Sequence, residues 1–283
     1  AVTTLDVVAS VTAPLAVASR PRAFVRVTGP QAGEFLQRMV SNDVDALEVG
    51  QACDALLLSP KGKVIAMLRV FRRGALDYLI LTEPELGEEV RSQLLRARFA
   101  TRAEVELEEH ASQLRLGEHA APDPERVSVP TVDYGVPGFE VLDADVPAGA
   151  VHLDPAELER LRIEAGTPVF GREVDDRVLP AEAGLVARAV SFTKGCYPGQ
   201  EPIARLHYRG HANRSLRLLR IDGVALPRPD AEIVHDGRAV GRVTSAARAG
   251  DGLVALGYVR AEVDDEAELS VAGARATIAR SRP

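Results

Sequence analysis

The apolar positions in the first half of the chain alternate in some segments and recur at helical spacing in others. A helix is predicted directly after Gly29-Pro30, because Phe35 and Met39 fall on one helical face and proline suits a first turn. A second helix is predicted at 85–98, where an acidic start and a basic end complement the helix dipole. Alternating runs predict strands at 23–28, 53–59, 63–71, 76–82 and 103–109.

The middle of the chain gives a loop signal followed by a helix signal. Residues 111–130 are polar and contain prolines, which predicts a surface loop. Asp154, Pro155 and Glu157 then form a helix start, in which Asp is the N-cap and Pro takes the first position. The helix that follows is predicted to end near Gly166.

After Gly210 the pattern changes to short alternating runs separated by Gly and Asp turns. This predicts a small all-β domain at 211–283, with a boundary near 210–214. Residues 1–210 mix helices and strands, and no boundary is visible within them. The order of segments therefore predicts an α+β region followed by an all-β domain.

Composition and charge narrow the classes of partner. A formal net charge of -7 argues against a general polyanion binder, and 4% aromatic residues with no Trp leave little material for base-stacking surfaces. Two distant cysteines, Cys53 and Cys196, make neither a disulfide framework nor a zinc site, as is typical of a reducing compartment. Residues 1–20 lack the basic start of a signal peptide, and no stretch approaches the roughly 20 apolar residues of a membrane span. We therefore expect a cytoplasmic protein with no membrane partner.

The most specific motif is Lys-Gly-Cys-Tyr-Pro-Gly-Gln-Glu at 194–201. It resembles the signature of the YgfZ family, a branch of the tetrahydrofolate-dependent aminomethyltransferase superfamily that includes the glycine-cleavage T-protein. Five further patches resemble the superfamily in the expected order, and together they cover most of the chain. They are SNDV at 41–44, SPKGKV at 59–64, RIEAGTPVFGREVD at 162–175, LPAEAGL at 179–185 and GRVTSAARAGDGLVALGYV at 241–259.

The resemblance implies both an architecture and a role. It implies an α+β fold of three domains packed like a clover leaf around a central folate cavity, with two interleaved modules in residues 1–210 and a C-terminal β-barrel domain at 211–283. The implied ligand is tetrahydrofolate or a derivative. The implied role is in iron–sulfur cluster assembly or repair and, in bacteria, in tRNA modification. The expected partners are iron–sulfur client or assembly proteins, and any contact with tRNA is expected to be indirect.

One stretch departs from the T-protein pattern. In that relative an aspartate pair follows the glycine of the hairpin turn, and one aspartate is catalytic, whereas Ala66 and Met67 stand at these positions here. Without a carboxylate, proton handling at the folate nitrogen loses its acid–base group. The YgfZ branch lacks these aspartates as well. The chain is therefore not expected to perform the aminomethyl transfer of the T-protein.

Glu164 is the first candidate for folate binding. A pterin ring presents an edge with two parallel donors, and a single carboxylate accepts both. The resemblance assigns Glu164 to this role, while the residue alone also fits an exposed helix-end glutamate. The resemblance places Asn42 and Asp43 near the folate cavity, although both also suit the C-terminal turn of a helix.

The 194–201 segment supplies the other candidates. Cys196 fits a redox or cluster-related thiol, with Lys194 lowering its pKa and Tyr197 beside it, or else a small buried residue in a turn. Gly195 and Gly199 suit close backbone approach or positive φ. Gln200 and Glu201 suit either hydrogen bonds around a pterin or a helix cap.

A basic run follows this segment, and it fits three interpretations. It could meet the folate glutamate tail, contact RNA, or form a solvated face. The six histidines have no metal-binding spacing, so no metal site is predicted. The basic residues of the run are Arg205, His207, Arg209, His211, Arg214, Arg217 and Arg220.

Three functions remain open at the level of sequence. The first is a folate-binding protein that supports iron–sulfur clusters. The second is a folate-dependent one-carbon transferase or demethylase, which the missing carboxylate at 66–67 disfavours. The third is a protein- or RNA-binding scaffold that has lost the ligand.

Overall fold

The computed structural model describes residues 15–279 of the 283-residue chain. The prediction of a start without a signal peptide falls largely on residues 1–14, which lie outside the described range. The strands are β1 (Ala16–Ser19), β2 (Ala23–Thr28), β3 (Ala52–Leu58), β4 (Val64–Gly74), β5 (Asp77–Thr82), β6 (Glu104–Glu108), β7 (Ser112–Leu116), β8 (Ser128–Thr131), β9 (Gly138–Leu142), β10 (Val151–His152), β11 (Arg214–Ile221), β12 (Glu232–His235), β13 (Arg238–Ala249), β14 (Gly252–Arg260), β15 (Leu269–Val271) and β16 (Ala274–Ala279). The α-helices are α1 (Ala32–Met39), α2 (Gly87–Arg98), α3 (Pro155–Glu164), α4 (Val186–Ala189) and α5 (Gln200–Arg209), and a 3₁₀ turn at Pro84–Leu86 precedes α2.

The first module is a five-stranded sheet in the order β3-β4-β5-β2-β6. Its strands alternate because one face is covered by α1 and α2, whose Phe35, Leu36 and Leu94 are fully buried in the same core as Val25 and Val70. The helix α1 begins at Ala32 with Gln31 as its N-cap. Pro30 therefore lies in the preceding turn and not, as predicted, in the first helical turn.

The second module is a five-stranded sheet in the order β10-β1-β7-β9-β8. Its strand β1 precedes the first module in sequence, and its other strands follow it. The two sheets pack against each other through Phe24 and Leu79 of the first and Val129 and Leu142 of the second. The helix α3 belongs to this module and begins as predicted, because the Asp154 carboxylate accepts a hydrogen bond from the Glu157 backbone N–H at 2.8 Å.

The loop predicted at 111–130 is wrong at both ends, since β7 and β8 lie there. In β7 the buried Leu114 and Leu116 alternate with polar residues, but the run is too short to stand out among polar flanks. The strand β8 was predicted as part of the loop because it contains Pro130, and proline usually indicates a loop. Proline is tolerated here because β8 is the edge strand of its sheet, where one side of the backbone needs no partner.

The third module is a closed six-stranded barrel, β11-β14-β13-β12-β15-β16. The helix α3 packs on its outside, where Ile163 is buried with Leu218, Val254 and Leu256. A connecting segment, residues 165–213, carries α4 and α5 and runs from α3 to the barrel. The α+β clover-leaf fold with a C-terminal barrel is confirmed. No helix within residues 15–279 is long and apolar enough to cross a membrane.

Candidate functional site

A buried carboxylate lies where the modules meet. Asp133 follows β8 and accepts hydrogen bonds from three arginines of distant segments. Its Oδ2 lies 3.1 Å from Nη1 of Arg20, and its Oδ1 lies 3.2 Å from Nη2 of Arg69 and 2.6 Å from Nη2 of Arg188. The first arginine follows β1, the second lies in β4 and the third in α4. One carboxylate thus joins both sheets to the connecting segment.

A second carboxylate, Asp54 of β3, shares two of these arginines. Its Oδ1 accepts from Nε of Arg69 at 2.9 Å, and its Oδ2 accepts from Nε of Arg188 at 2.7 Å. Arg22, Glu83 and Glu140 extend the network at its edge. We call these eight residues the central ionic cluster. Four arginines face four carboxylates in it, so it is neutral overall.

The charges in the cluster fix the ionised form of Asp133. Burial alone would raise the pKa of this carboxyl, but the neighbouring guanidinium groups outweigh burial and hold its pKa well below the usual range. The pKa of Glu140 is lowered for the same reason, against the opposing effect of its complete burial. Both groups therefore act as hydrogen-bond acceptors over the whole physiological pH range.

Two connected cavities border the cluster. The inner cavity has a volume of about 40 Å³ and is lined by Asp54, Met67, Arg69 and Arg188 among others. The outer groove, about 570 Å³, runs along α3 and has an apolar wall that includes Tyr134, Leu153, Pro155 and Leu158. The two share four lining residues, which are Arg20, Glu83, Asp133 and Thr167. The outer groove has the size of a small-molecule site, whereas the inner cavity has room for only a few water molecules.

Comparison with known proteins identifies the relatives of this chain. The glycine cleavage T-protein C-terminal barrel domain matches residues 214–282. The tRNA-modifying proteins YgfZ of Cronobacter sakazakii and Serratia proteamaculans are each 28% identical to the chain, over 81% and 88% of it and 79% and 85% of their own lengths. That of Yersinia pseudotuberculosis is 27% identical over 82% of the chain and 80% of its own length.

The chain is a homologue of the YgfZ proteins. The glycine cleavage system aminomethyltransferase T of Bartonella henselae has the same fold, with a TM-score of 0.83 over 99% of this chain and 89% of that one at 20% identity. The resemblance drawn from the sequence is thus confirmed at the level of family and fold.

In this YgfZ homologue, the positions of the missing aspartates lie in β4 beside the inner cavity. Met67 lines the cavity, and Ala66 is fully buried on the other side of the strand. Three other carboxylates line the cavity, those of Asp54, Glu83 and Asp133. Asp54 lies on the strand next to β4, and Arg69 and Arg188 both donate to it. Since two guanidinium groups occupy this carboxylate, it is poorly placed to exchange protons with a ligand.

Glu164 is buried at the end of α3, and its Oε2 accepts a hydrogen bond from Nη1 of Arg160 at 2.7 Å. It does not line the inner cavity or the outer groove, although Leu158 and Arg162 of the same helix line the groove. A ligand in the outer groove would reach this carboxylate only by extending beyond the residues that line the groove or by displacing Arg160. The pterin-reading role of Glu164 stays a prediction.

Asn42 and Asp43 lie behind the cavity and do not line it. The side-chain amide of Asn42 donates to the backbone carbonyls of Asp54 at 2.7 Å and Arg188 at 3.2 Å, so it supports two residues of the central ionic cluster. Asp43 accepts from the Gln37 side chain at 2.9 Å and closes the turn after α1.

Lys194 is turned inward from the 194–201 segment. Its Nζ donates to the carbonyls of Gln37, Val40 and Asn42 at 2.5, 2.6 and 2.8 Å, which uses all three hydrogens of the ammonium group. Burial lowers the pKa of Lys194 to about 8. The structure thus gives this ammonium group the end of α1 as its partner, whereas the sequence suggested the Cys196 thiol.

The rest of the segment divides into an exposed and a buried part. Gly195 and Cys196 are exposed, whereas Tyr197 is buried, and its hydroxyl has no hydrogen-bond partner among residues 15–279. Burial raises the pKa of Tyr197 to about 12. Gln200 and Glu201 form the first turn of α5 and line neither cavity.

Gly199 precedes α5 with a φ of +79°, and its backbone lies against the hairpin turn at Gly62. Two motifs that are far apart in sequence, SPKG and KGCYPGQE, therefore touch. Most of the sequence-predicted residues lie in the connecting segment itself, and none of them lines the inner cavity or the outer groove.

Sequence reasoning missed the central ionic cluster itself. One signal was present, since Asp54 and Arg69 each interrupt an apolar strand. Their antiparallel pairing across β3 and β4 places them directly opposite each other. Asp133 and Arg188 gave no comparable signal, because a single charge in a loop or beside a short helix is usually solvated.

Proposed function

We propose that this chain binds a reduced folate, tetrahydrofolate or a derivative, in the outer groove beside the central ionic cluster. We further propose that the folate-bound protein supports the assembly or repair of iron–sulfur clusters in cytoplasmic enzymes, including enzymes that modify tRNA. The observation that carries the proposal is the groove of about 570 Å³ that meets the cluster at the junction of the modules. The tRNA-modifying names of the YgfZ relatives support the second part.

The groups that line the groove suit the three parts of a folate. Glu83 offers a carboxylate to the donor edge of a pterin, since only one of its oxygens pairs with Arg22. Pro155 and Leu158 offer an apolar wall to its rings. Arg172, whose side chain is 47% exposed and pairs with Glu159 at 2.6 Å, offers a cation to the carboxylates of the glutamate tail. The donor set therefore fits the ligand, with Glu164 as a further candidate on the same helix.

Bound tetrahydrofolate would supply two amine nitrogens that accept a one-carbon unit. The residues of the chain would hold it: Pro155 and Leu158 would pack against its rings, and Glu83 would accept from its donor edge. Proton transfer at the ligand is not part of the proposal, because Asp54 is engaged by two arginines and Met67 has no titratable group.

Anaerobic calorimetry with tetrahydrofolate tests the folate site. We expect saturable binding by the wild type and much weaker binding by Leu158→Trp, whose larger side chain would narrow the groove where the rings would pack. Glu164→Gln should weaken binding by about 1–3 kcal/mol if this carboxylate reads the pterin. Glu157→Gln is the matched control, since Glu157 also pairs with Arg160 but is partly exposed, whereas Glu164 is buried. Absence of wild-type binding, or unchanged binding by Leu158→Trp, would refute this site.

The cluster-related role is tested in cells that lack their own homologue. Cys196 is exposed and so accessible to a client protein, whereas Cys53 is half-buried, and burial together with the charge of Asp54 raises its pKa to about 12. We expect Cys196→Ala to lower the activity of iron–sulfur enzymes and Cys53→Ala to leave it unchanged. Equal activity of both variants and the wild type would exclude a thiol role.

A further inference from the structure

The basic run after the 194–201 segment has no place in the folate site. Between residues 202 and 221 there is no Asp or Glu, although the whole chain carries a net charge of -7. Two of its arginines are neutralised by tertiary contacts, since Arg214 pairs with Glu182 at 3.1 Å and Arg217 pairs with Asp265 at 3.0 Å. Arg205 and Arg209 lie one turn apart on α5, are exposed, and pair with no carboxylate in the described part of the chain.

Three aromatic rings lie together at the same end of α5. The rings of Phe192 and His207 are stacked, with centroids 4.1 Å apart and an angle of 17°. Tyr208 is edge-on to both, at 5.8 and 4.9 Å, and is 68% exposed. A chain with only 4% Phe, Trp and Tyr thus places two of these rings beside a histidine ring, and the rings of His207 and Tyr208 are exposed.

An apolar groove of about 380 Å³ adjoins the rings. Its walls include Val186, Ile203 and Leu206, and it shares His207 with the aromatic group. His211 lines it as well and is exposed. We call Phe192, Arg205, His207, Tyr208, Arg209 and His211 the aromatic–basic surface.

We propose that the aromatic–basic surface binds unpaired nucleotides of a nucleic acid. Exposed ring faces stack on bases, and free arginines attract backbone phosphates. The groove beside the rings offers space for a base that is not stacked on the neighbouring bases of its strand. An acidic peptide would use the arginines but not the rings, so the combination favours a nucleic acid. This proposal is independent of the folate site, which lies between α3 and the two sheets.

The test is fluorescence anisotropy with a labelled 12-nucleotide single strand of mixed sequence, made as RNA and as DNA. We expect both to bind at low salt and the matching duplex to bind more weakly, because its bases are already stacked. Tyr208→Ala should weaken binding about fivefold or more. Arg205→Gln combined with Arg209→Gln should reduce the slope of log K against log salt by about 1.4.

Matched controls remove the same groups elsewhere. Phe99→Ala deletes another ring, 90% exposed, and Arg220→Gln deletes another exposed cation, and both should bind as the wild type does. Tighter binding of RNA would identify RNA as the ligand, and equal binding would assign the surface to unpaired nucleotides of either kind. The proposal is overturned if neither strand binds, if the α5 variants bind like the wild type, or if poly-glutamate displaces the strands as well as unlabelled RNA does.

Discussion

Gly199 has a backbone conformation that residues other than glycine rarely adopt, and there is no room for a side chain at its position. A Cβ atom there would lie 2.5 Å from the carbonyl oxygen of Ser59 and 3.1 Å from Cα of Gly62, at a φ of +79°. We expect Gly199→Ala to lower the free energy of unfolding by about 1–3 kcal/mol, because the strained residue must also push the hairpin turn away. Urea denaturation measures the change.

Gly195 provides the control for this prediction within the same segment. A Cβ added to it meets no atom within 4 Å. We expect Gly195→Ala to change stability by no more than about 0.5 kcal/mol. Similar losses in the two variants would mean that the segment tolerates no substitution, whatever the local space.

Lys194 holds the end of α1 to the connecting segment. Its removal leaves three carbonyls, those of Gln37, Val40 and Asn42, without their donor. We expect Lys194→Met, which keeps the length of the side chain, to destabilise the protein by about 2–3 kcal/mol, the effect of losing hydrogen bonds to a charged group. Lys61→Met, at an exposed turn, should have almost no effect in the same thermal or urea measurement.

The sequence identified single residues less well than motifs. Glu164 and Cys196 were recognisable because they stand in ordered patches, but the structure gives Glu164 an arginine partner and leaves Cys196 exposed. The central ionic cluster escaped because its members come from positions 20 to 188, and only folding brings them together. A charge that will be buried and paired looks, in sequence, like any other surface charge.

At the scale of elements, prediction succeeded where the alternating or helical pattern extended over many residues and failed where it covered only a few. The strand at 23–28 and the capped helix after Asp154 were found, because alternation and cap residues agreed. The strands β7 and β8 were missed, since each has five residues or fewer and one contains a proline. An edge strand tolerates residues such as proline that a central strand excludes, and the sequence alone does not show which strands lie at an edge.

One link between elements responds to pH. His110, between β6 and β7, contacts Asp143 through Nδ1 at 2.6 Å and Glu108 through Nε2 at 3.0 Å. Burial by itself lowers the pKa of His110, but the hydrogen bonds to the two carboxylates outweigh it and raise the pKa above its ordinary value. The folded protein therefore binds this proton more tightly than the unfolded chain does.

The sign of the pH effect follows from this raised pKa. The stabilisation is fully present below the unfolded-state pKa of about 6.5 and is lost as pH rises through the higher folded-state pKa. We expect His110→Asn to cost about 0.5–1 kcal/mol near pH 6 and much less near pH 9, in urea denaturation at both values. A loss that does not depend on pH would mean that the ring acts by packing against Phe24.

At the scale of the whole molecule, Glu173 fastens the barrel to the rest of the chain. It is buried, and it accepts hydrogen bonds from Arg162 at 3.1 Å, the Val169 N–H at 3.0 Å and the Ser245 hydroxyl of the barrel at 2.5 Å. Its backbone carbonyl accepts from the hydroxyl of Tyr258 at 2.8 Å. The buried Arg162 has a second carboxylate partner, Glu159, at 2.7 Å, so Glu173 is one of its two counter-charges.

We therefore expect Glu173→Ala to destabilise the protein by about 2–3 kcal/mol, because Arg162 loses one of its two carboxylate partners and the Val169 N–H and the Ser245 hydroxyl lose their acceptor. Ser245→Ala, which removes only one hydrogen bond, should cost about 1 kcal/mol. Calorimetry would also show whether the barrel melts separately from the sheets in the first variant. Equal effects of the two substitutions would contradict the role of Glu173 as counter-charge to Arg162.

The placement of β1 has a consequence for how the chain is made. This strand leaves the ribosome before the whole first module, yet its partners are β7 and β10, which begin at Ser112 and Val151. The first module is continuous from residue 23 to 108, so it can fold while synthesis goes on. The early strand must wait unpaired until about 100 further residues have been added, as the separation of Ala16 from Leu116, its partner in β7, requires. During that interval its free edge is open to chaperones or to a wrong neighbour on the same polysome.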